Sequence, residues 1–540
     1  MIFTNSPLIK FIQQESSVEL KRLMYLSVLG GLSNMALVAL INQAASVISK
    51  GELATWQFFV YLGALALYTI ALVKSSQENI TSTQALMHKF KLRIMSQVLK
   101  SDLITIDSIG RPWILQTLLR DTQVVSQSIL VLVNTCQSAG TVIFLLLYLS
   151  FVSIPAFIVV NVCSVILVII MYFNISNTAD KFSDALRQES EAYQTFSDFM
   201  EGYKEVKMNS KRAAAISEAI VIGSLKTKEL KTSSMLAMVK TTNTTQVFFY
   251  AMVAISVFIL PILFTDYSSH VQAVATTIMF LIGSLAGFVG GVPQIIQANA
   301  SAAELFGLEQ KLQAVSSSNQ ENAELFEAVD SIEIENIYYD YSPGNEKVGT
   351  FHLGPVNYTF ESGKIYFIRG NNGSGKSTLM RLLIGIYQPS AGKILVNGTP
   401  VVQPTSKAYR DLFAVVFSDF YLFKKLYGIF TGDEAIITNA IELLAMEKKI
   451  TIENDEFSNI NLSTGQRKRL ALIVALLEEK QYIVLDEWAS DQDPEFRKYF
   501  YESILPELRK KGKTIIAITH DDYYFHCADA VLQLDKGRQC

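Results

Sequence analysis

The hydrophobic and polar positions divide this chain into two parts of different character. Before about residue 300 the sequence contains long apolar runs, and after about residue 330 short apolar strands alternate with glycine turns and charged helices. A helix needs about 20 residues to cross a hydrocarbon layer of about 30 Å. One such run could be a buried helix of a large soluble protein, but six together predict a membrane domain: Leu23–Ile48, Trp56–Val73, Ser128–Ser150, Pro155–Phe173, Val247–Phe264 and Val271–Ile296.

The connections between these runs predict the orientation of the chain. Seven Lys or Arg lie in residues 74–120 and ten in residues 181–240, whereas the opposite connections contain only Lys50. Basic residues concentrate in the cytoplasmic loops of membrane proteins. Both long connections and both termini are therefore predicted to lie in the cytoplasm, in a multi-pass protein of the cell (inner) membrane.

The long connections themselves have a helical pattern. Gln84–Leu99 and Ala179–Met208 contain few Pro or Gly and carry apolar residues at three- and four-residue spacing. We therefore expect the membrane helices to continue into the cytoplasm and to end in short turns near Asp107–Trp113 and Ser210–Ala215. These turns could contact a soluble domain, or the helices could form solvated hairpins without a partner.

Composition agrees with this division and excludes other classes of protein. Of the 540 residues, 50% are hydrophobic and 18% are charged, against about 25% charged in an average soluble domain. The net charge of −4 disfavours nucleic acid as a partner, because nucleic-acid binding needs a basic surface. We predict a helical six-span transmembrane domain over 1–310, a Ser/Asn/Glu-rich linker over 311–330 and an α/β P-loop ATPase domain over 331–540.

The first candidate functional element in the second half of the chain is a phosphate-binding motif. The short strand Lys364–Arg369 runs into GNNGSGKST, and a helix is predicted over Ser377–Tyr387. In this strand–loop–helix setting the glycines let backbone N–H groups surround phosphates, and the helix N-terminus adds partial positive charge. Lys376 should reach the β- and γ-phosphates of ATP, and Ser377 should bind Mg²⁺. The predicted nucleotide-binding residues here are Gly370, Asn371, Asn372, Gly373, Ser374, Gly375, Lys376, Ser377 and Thr378.

Two further strands end in ionisable residues. Tyr482–Leu485 is followed by Asp486 and Glu487, and Thr514–Thr519 is followed by His520. Adjacent carboxylates at a strand end suit a metal ligand and a general base, so Asp486 is a candidate for Mg²⁺ and Glu487 for activating water. His520 is a candidate for holding the γ-phosphate. Because ligands of α/β sheets bind at the carboxyl ends of parallel strands, these motifs are expected to meet at one edge.

A fourth element is LSTGQ at residues 462–466, which opens a predicted helix and forms another potential anion-binding turn. The order of a tyrosine, the phosphate loop, LSTGQ, Asp-Glu and His resembles the ABC transporter family, specifically a half-size exporter with LSTGQ in place of LSGGQ. The resemblance covers essentially the whole chain. GYKEVKMNSKR, VVFSDFYLF and DEWASDQDPEFR further resemble the cyclic-peptide and siderophore exporter branch, which includes syringomycin-, pyoverdine- and microcin-type exporters.

The resemblance implies a composite ATP site. In the family, ATP lies between the phosphate loop of one cassette and the LSGGQ of another, so one cassette per chain implies a homodimer. The nucleotide-binding residues then include Ser463, Thr464, Gly465 and Gln466, and Tyr341 would stack on adenine, with its neighbour Tyr339 as the alternative. Ser418 departs from the family, which has a Mg²⁺-contacting glutamine there; Asp419 is the alternative ligand.

The cargo is less defined by the sequence. Six amides in the spans either line a cavity or join helices: Asn34, Gln43, Asn134, Gln137, Asn161 and Gln272. A cavity of this kind suits a neutral or zwitterionic amphipathic cargo such as a cyclic or modified peptide. A lipid or hydrophobic-drug exporter and an ABC ATPase without a transport role are the alternatives.

Overall fold

The computed structural model describes residues 6–15, 17–316, 326, 328–341, 351–429 and 434–540. The chain forms two compact units. The first contains Met1–Leu99 and Ile109–Ala314, and the second contains Lys100–Ser108 and Val315–Cys540. The domain limits of 1–310 and 331–540 given above stay predictions.

The first unit is helical throughout its described length. Two π-helical turns interrupt the long helices, one at Thr117–Asp121 before α6 and one at Ile255–Ile259 after α9. The helices are α1 Pro7–Glu15, α2 Ser17–Ser49, α3 Thr55–Lys100, α4 Leu103–Ile109, α5 Arg111–Gln116, α6 Thr122–Val152, α7 Ile154–Glu201, α8 Tyr203–Met208, α9 Ser210–Ala254, α10 Leu260–Leu263 and α11 Val271–Ser316.

Five stretches in the described part of the chain are long and apolar enough to cross a membrane: Val28–Ser49, Thr55–Lys100, Arg111–Val152, Ser210–Leu263 and Val271–Gln313. They contain the first, second, third, fifth and sixth predicted spans, apart from one or a few end residues. The fourth predicted span lies at the start of α7, where Ile154–Leu167 is a shorter apolar helix. Extended backbone at Ser153 and a proline in the first turn of α7 make the tight junction between α6 and α7.

The long connections between the apolar runs are helical, as predicted. α3 continues to Lys100, and α7 continues to Glu201 before a break at Gly202 that separates it from α8. The short helix α4 falls mostly within the second unit, and Leu103 lies against the hydrophobic core of that unit. The stretch Lys100–Ser108 belongs to the second unit, and the predicted turn near Asp107–Trp113 contains the break between α4 and α5 at Gly110, whose φ is +90°.

Close backbone packing explains the glycines of the last apolar stretch. A Cβ at Gly287 of α11 would lie 2.8 Å from Ser138 Oγ of α6, and a Cβ at Gly291 would overlap Thr135 Oγ1 of α6. Small residues let membrane helices approach closely where no hydrophobic effect drives their association. These glycines therefore belong to a helix–helix contact and do not weaken the assignment of a span.

The second unit contains a six-stranded sheet in the order β12-β11-β3-β10-β9-β6 and a four-stranded antiparallel sheet in the order β2-β1-β4-β5. The described strands are β1 Ser331–Tyr341, β2 Phe351–Glu361, β3 Ile365–Gly370, β4 Ala391–Val396, β5 Thr399–Pro400, β6 Phe413–Val416, β7 Ile452–Glu453, β8 Glu456–Phe457, β9 Tyr482–Asp486, β10 Thr514–Ile518, β11 Ala530–Asp535 and β12 Arg538–Gln539.

Helices flank the six-stranded sheet. They are α12 Lys376–Leu383, α13 Lys407–Arg410, α14 Glu434–Leu443, α15 Thr464–Leu477, α16 Pro494–Tyr499 and α17 Leu505–Lys510. α12 is shorter than the predicted Ser377–Tyr387, because the chain leaves the helix at Ile384 and turns at Gly385, whose φ is +72°.

Parallel pairing brings the predicted motifs together. β10 pairs in parallel with both β3 and β9, and every residue of β9 and β10 is buried. Fully buried parallel strands are expected to be continuously apolar, as the sequences YIVL and TIIAI are. The carboxyl ends of β3, β9 and β10 consequently lie at one edge of the sheet, which carries the candidate site.

Candidate nucleotide-binding site

The phosphate loop, residues 370–378, connects β3 to α12. Gly375 has a φ of +98°, and a Cβ there would lie 2.8 Å from Leu353 Cδ1. A side chain at this position would therefore be strained and would also clash, so glycine is required. Asn371, Asn372 and Gly373 are exposed at the tip, Ser374 is buried, and Ser377 and Thr378 are half-buried in the first turn of α12.

Lys376 lies under this loop. Its Nζ donates to the backbone oxygens of Gly370 at 2.8 Å and Asn371 at 3.2 Å. Burial lowers the pKa of the Lys376 ammonium, and the negative charges of Glu487 and Asp486 partly oppose this shift. A buried ammonium held only by neutral carbonyl oxygens is suited to exchange them for phosphate oxygens, which make stronger charge-assisted hydrogen bonds.

Asp486 ends β9 and is 3% exposed. Ser418 Oγ donates to its Oδ2 at 3.0 Å, whereas its Oδ1 is buried and has no hydrogen-bond partner among the residues that the structure describes. Burial raises the pKa of the Asp486 carboxyl; the Ser418 hydrogen bond opposes this shift, and the charge of Glu487 adds to it. A buried carboxylate oxygen that lacks a hydrogen-bond partner is suited to bind Mg²⁺, because this ion takes carboxylate oxygens as ligands.

Ser418, rather than Asp419, is therefore the residue that contacts Asp486. Asp419 is exposed, and the structure gives it no contact with the carboxylate. In the part of the chain that the structure describes, no group of three or more His, Cys, Asp or Glu residues is arranged to hold a metal ion. A metal at this edge would need phosphate, hydroxyl or water oxygens besides Asp486.

Glu487 and His520 meet at the same edge. Glu487 Oε1 lies 3.3 Å from His520 Nε2, and both side chains are partly open to solvent. The backbone of Glu487 is left-handed, with a φ of +49°, and its N–H donates to Ile518 O at 3.1 Å. A non-glycine residue in this conformation is uncommon and is held by its surroundings.

The LSTGQ segment opens α15 with a capping box. Ser463 is the N-cap, and its Oγ accepts from the Gln466 N–H while the Gln466 side chain accepts from the Ser463 N–H. Ser463 and Thr464 are exposed. The contacts of this turn run to the loop after β9, because Gln492 Nε2 donates to Gly465 O at 3.0 Å.

The two tyrosines predicted as candidates for stacking on adenine lie in the C-terminal part of β1. Tyr339 is 6% exposed and stacks on Tyr387 with ring centroids 5.3 Å apart, so it is part of the core. Tyr341 pairs through its backbone with Phe351, but its side chain lies outside the described residues. Of the two candidates for stacking on adenine, Tyr339 is therefore already packed in the hydrophobic core.

Sequence reasoning assigned no role to Lys468. Lys468 lies in the charged run RKR, which is typical of a solvated helix face, yet the lysine is 3% exposed. The structure joins it to the segment after the Asp-Glu pair, because Trp488 Nε1 donates to Lys468 O at 2.7 Å.

The fold and the site define a P-loop ATPase fused to a bundle of membrane-length helices. The profile of the ABC transporter family matches residues 353–490. The ATP-binding protein SyrD of Pseudomonas syringae pv. syringae is 30% identical over 522 residues, which cover 94% of this chain and 91% of SyrD. The chain belongs to the ABC transporter family.

Two further similarities cover different shares of the chain. The β-(1→2)glucan export ATP-binding/permease protein NdvA of Agrobacterium fabrum is 30% identical over 48% of this chain and 45% of NdvA. The structure of a bacterial Atm1-family ABC exporter with ATP bound has a TM-score of 0.77 at 18% identity, covering 97% of this chain and 95% of that one. The latter similarity shows that both units follow the exporter fold.

This chain is accordingly a multi-pass membrane protein, an ABC exporter that binds and hydrolyses ATP to drive transport. The alternative of an ABC ATPase without a transport role has no support, because the similarity to SyrD and to the exporter structure extends over the helical unit.

Proposed function

We propose that two copies of this chain form an exporter of a cyclic or modified peptide or siderophore of amphipathic character. One observation carries the proposal: membrane-length helices and a complete set of hydrolysis groups share a chain related to SyrD over nearly its full length. Those groups are Lys376, Asp486, Glu487 and His520, at one edge of one sheet.

The exposed LSTGQ turn supports a homodimer. Ser463 and Thr464 are open to solvent, and the chain carries one phosphate loop and one LSTGQ segment. Two copies facing each other would give two equivalent sites, each with a phosphate loop from one chain and Ser463 to Gln466 from the other. Closure of these sites drives the membrane helices from inward-open to outward-open, and hydrolysis resets them.

The residues of the site have distinct roles in hydrolysis. Lys376 binds the β- and γ-phosphates, and Glu487 accepts a proton from the attacking water while His520 holds the γ-phosphate. Tyr341 stacks on adenine. The carboxylate of Asp486, with its unpaired buried oxygen, and the hydroxyls of Ser377 and Ser418 would hold Mg²⁺. When bound, this ion neutralises charge on the phosphate oxygens.

The distribution of amides supports an amphipathic cargo. None of the six predicted span amides is fully buried, whereas Asn42 is buried and donates to Tyr148 OH at 3.2 Å and Thr277 Oγ1 at 3.4 Å. Asn42 therefore joins helices. Gln137 lies against another helix, since a Cβ at Gly30 of α2 would lie 2.9 Å from Gln137 Nε2, and the other five predicted amides are available to a cavity. We further propose that the protein lies in the inner membrane with both termini in the cytoplasm, as the basic connections predict.

Transport by purified protein in inverted vesicles tests the proposal. ATP-dependent uptake is measured for a panel of cyclic peptides, siderophores, lipids and hydrophobic drugs, with Glu487→Gln as the inactive control. Uptake of peptides or siderophores that stimulates ATP hydrolysis is the expected result. Uptake confined to lipids or hydrophobic drugs would support the alternative cargo, and a fully active monomer in nanodiscs would contradict the dimer.

A further inference from the structure

Lys468 is a buried lysine with a complete set of acceptors. Its side chain is 4% exposed in the first turns of α15. Its Nζ donates to Glu487 O at 2.8 Å and to Ser490 Oγ at 3.2 Å, and it lies 2.6 Å from Asp491 Oδ2. An ammonium has three N–H donors, so each one has an acceptor in the loop that follows β9.

The backbone of Lys468 contacts the same loop. Its carbonyl oxygen accepts from Trp488 Nε1 at 2.7 Å, and the Trp488 ring packs 4.4 Å from the ring of Phe500. The residue following Glu487 is therefore fixed to α15 by a buried hydrogen bond as well as by packing. Lys468 therefore contacts this segment twice: its ammonium donates to the Glu487 carbonyl oxygen, and its own carbonyl oxygen accepts from the Trp488 side chain.

Neighbouring contacts continue this attachment. A Cβ at Gly465 would lie 2.6 Å from Asp491 O, so the start of α15 and the loop are in direct backbone contact. Gln492 donates to Gly465 O at 3.0 Å and accepts from Arg469 Nε at 2.9 Å. We name residues 487–493 the hydrolytic loop, and its described contacts make it one assembly with the first turns of α15.

The conformation of Glu487 depends on such support. Its left-handed backbone costs free energy and persists only where the surroundings fix it. On one side the Glu487 N–H donates to Ile518 O, and on the other its carbonyl accepts from Lys468 Nζ and Ser490 Oγ. Of these partners, only Lys468 is charged and buried.

We infer that Lys468 is the positioning residue for Glu487, whose backbone it holds against the start of α15 so that the carboxylate stays beside His520. This inference rests on the proposed function, in which Glu487 accepts the proton of the attacking water. The Lys468 side chain is 4% exposed and its ammonium is bound by acceptors of the hydrolytic loop, so it acts through the Glu487 carbonyl.

Lys468→Met in the intact, lipid-reconstituted protein is the primary test, because methionine keeps the length and removes the ammonium. We expect the kcat of ATP hydrolysis to fall roughly 10²-fold, as small misplacements of catalytic groups can cost this much. The KM for ATP should change by less than about twofold, because the phosphate loop is not in contact with Lys468.

Lys513→Met is the matched control. Lys513 Nζ also donates to two backbone oxygens, of Glu479 at 2.9 Å and Lys480 at 2.8 Å, but these follow the opposite end of α15. Its loss should lower the thermal stability without lowering kcat. Equal losses of kcat in Lys468→Met and Lys513→Met would contradict the positioning role.

A double variant tests whether Lys468 acts through Glu487. In the Glu487→Gln background, adding Lys468→Met should lower the residual kcat by less than about twofold, since the side chain being positioned is already inactive. A full additional loss would overturn the inference.

Should Lys468→Met fail to fold, Lys468→Gln is the replacement test. Glutamine keeps two N–H donors, so the kcat of this variant is expected to lie between those of wild type and Glu487→Gln. A wild-type kcat would again overturn the inference.

These outcomes separate the inference from the proposed function. Wild-type hydrolysis by Glu487→Gln would remove Glu487 from its catalytic role. Wild-type hydrolysis by Lys468→Met with an inactive Glu487→Gln would leave that role intact and contradict only the positioning by Lys468.

Discussion

The phosphate loop and the hydrolytic loop lie at the same edge of one sheet but obtain their shapes in different ways. The phosphate loop depends on glycines and on backbone groups close in sequence, such as the carbonyls of Gly370 and Asn371 that hold Lys376. The hydrolytic loop depends on side chains of α15, which precede it by about twenty residues. The phosphate loop is shaped mostly by groups close in sequence, with a close approach of Gly375 to Leu353, whereas the hydrolytic loop depends on tertiary contacts with α15.

This difference separates binding from catalysis. Groups that bind phosphate need only the local strand–loop–helix arrangement, so they can remain intact when the rest of the site is disturbed. The carboxylate of Glu487, the proposed base, needs the contacts between α15 and the loop that follows β9. Variants of the two loops should consequently differ in whether they change affinity or turnover.

The largest expected effect comes from Glu487→Gln in the hydrolytic loop. The amide keeps the shape of the side chain but cannot accept a proton, so kcat should fall about 10³-fold. The affinity for ATP should be retained because Lys376 and the glycines are unchanged. Steady-state phosphate release and binding of a fluorescent ATP analogue provide the two measurements, and substantial phosphate release by the variant would rule out the assigned role.

Lys376→Ala in the phosphate loop should show the reverse pattern. Loss of its charge-assisted hydrogen bonds to phosphate is expected to cost about 3 kcal/mol of ATP binding, or roughly 10²-fold in Kd. Calorimetric titration with ATP measures this effect directly. An unchanged Kd combined with lost turnover would mean that the two loops do not divide binding and catalysis.

Trp488→Phe tests the tertiary contact of the hydrolytic loop with a smaller change. Phenylalanine keeps an aromatic ring against Phe500 but leaves Lys468 O without its buried donor, at an expected cost of about 1–3 kcal/mol in stability. The temperature of unfolding of the reconstituted protein should fall, and kcat should fall with it. Trp113→Phe serves as the control for kcat, because the Trp113 ring contacts Lys311 and both residues belong to the first, helical unit.

The smallest expected effect concerns Ser418, whose hydroxyl donates to the Asp486 carboxylate at the sheet edge that carries both loops. Its hydrogen bond favours the ionised carboxylate, so Ser418→Ala should raise the pKa of Asp486 further above its ordinary value. Because the ionised form is the proposed metal ligand, activity should be present above this pKa and should be lost as pH falls through it. The acid limb of the kcat/KM profile should move to higher pH; a shift to lower pH would contradict the contact.

The sequence predicted the parts of this molecule that depend on local pattern. Apolar runs located five membrane-length helices, and the strand ends at Gly370, Asp486 and His520 predicted a common edge that parallel pairing confirms. Ser418 donates to Asp486, and whether Ser418 or Asp419 replaces the Mg²⁺-contacting glutamine of the family stays a prediction. Pattern alone located these residues because their neighbours in sequence fix their positions.

The remainder depends on contacts between distant segments. Lys468 is predicted to be a surface residue because the run RKR is charged, yet contacts of α15 with the loop that follows β9 bury it. Likewise, the helix after the phosphate loop was predicted too long because Gly385 turns the chain. Asn42 was not among the amides noted in the spans, since burial against Tyr148 and Thr277 has no local signature.

The membership of Lys100–Ser108 in the second unit has a practical consequence for dissecting this exporter. An isolated ATPase fragment starting near residue 331 would lack Leu103, which lies against the core of that unit. The apolar patch beneath Leu103 would then face water and favour self-association of the fragment. Solubility and kinetics of such a fragment would therefore reflect a missing piece of its own surface, contributed by a segment more than two hundred residues upstream.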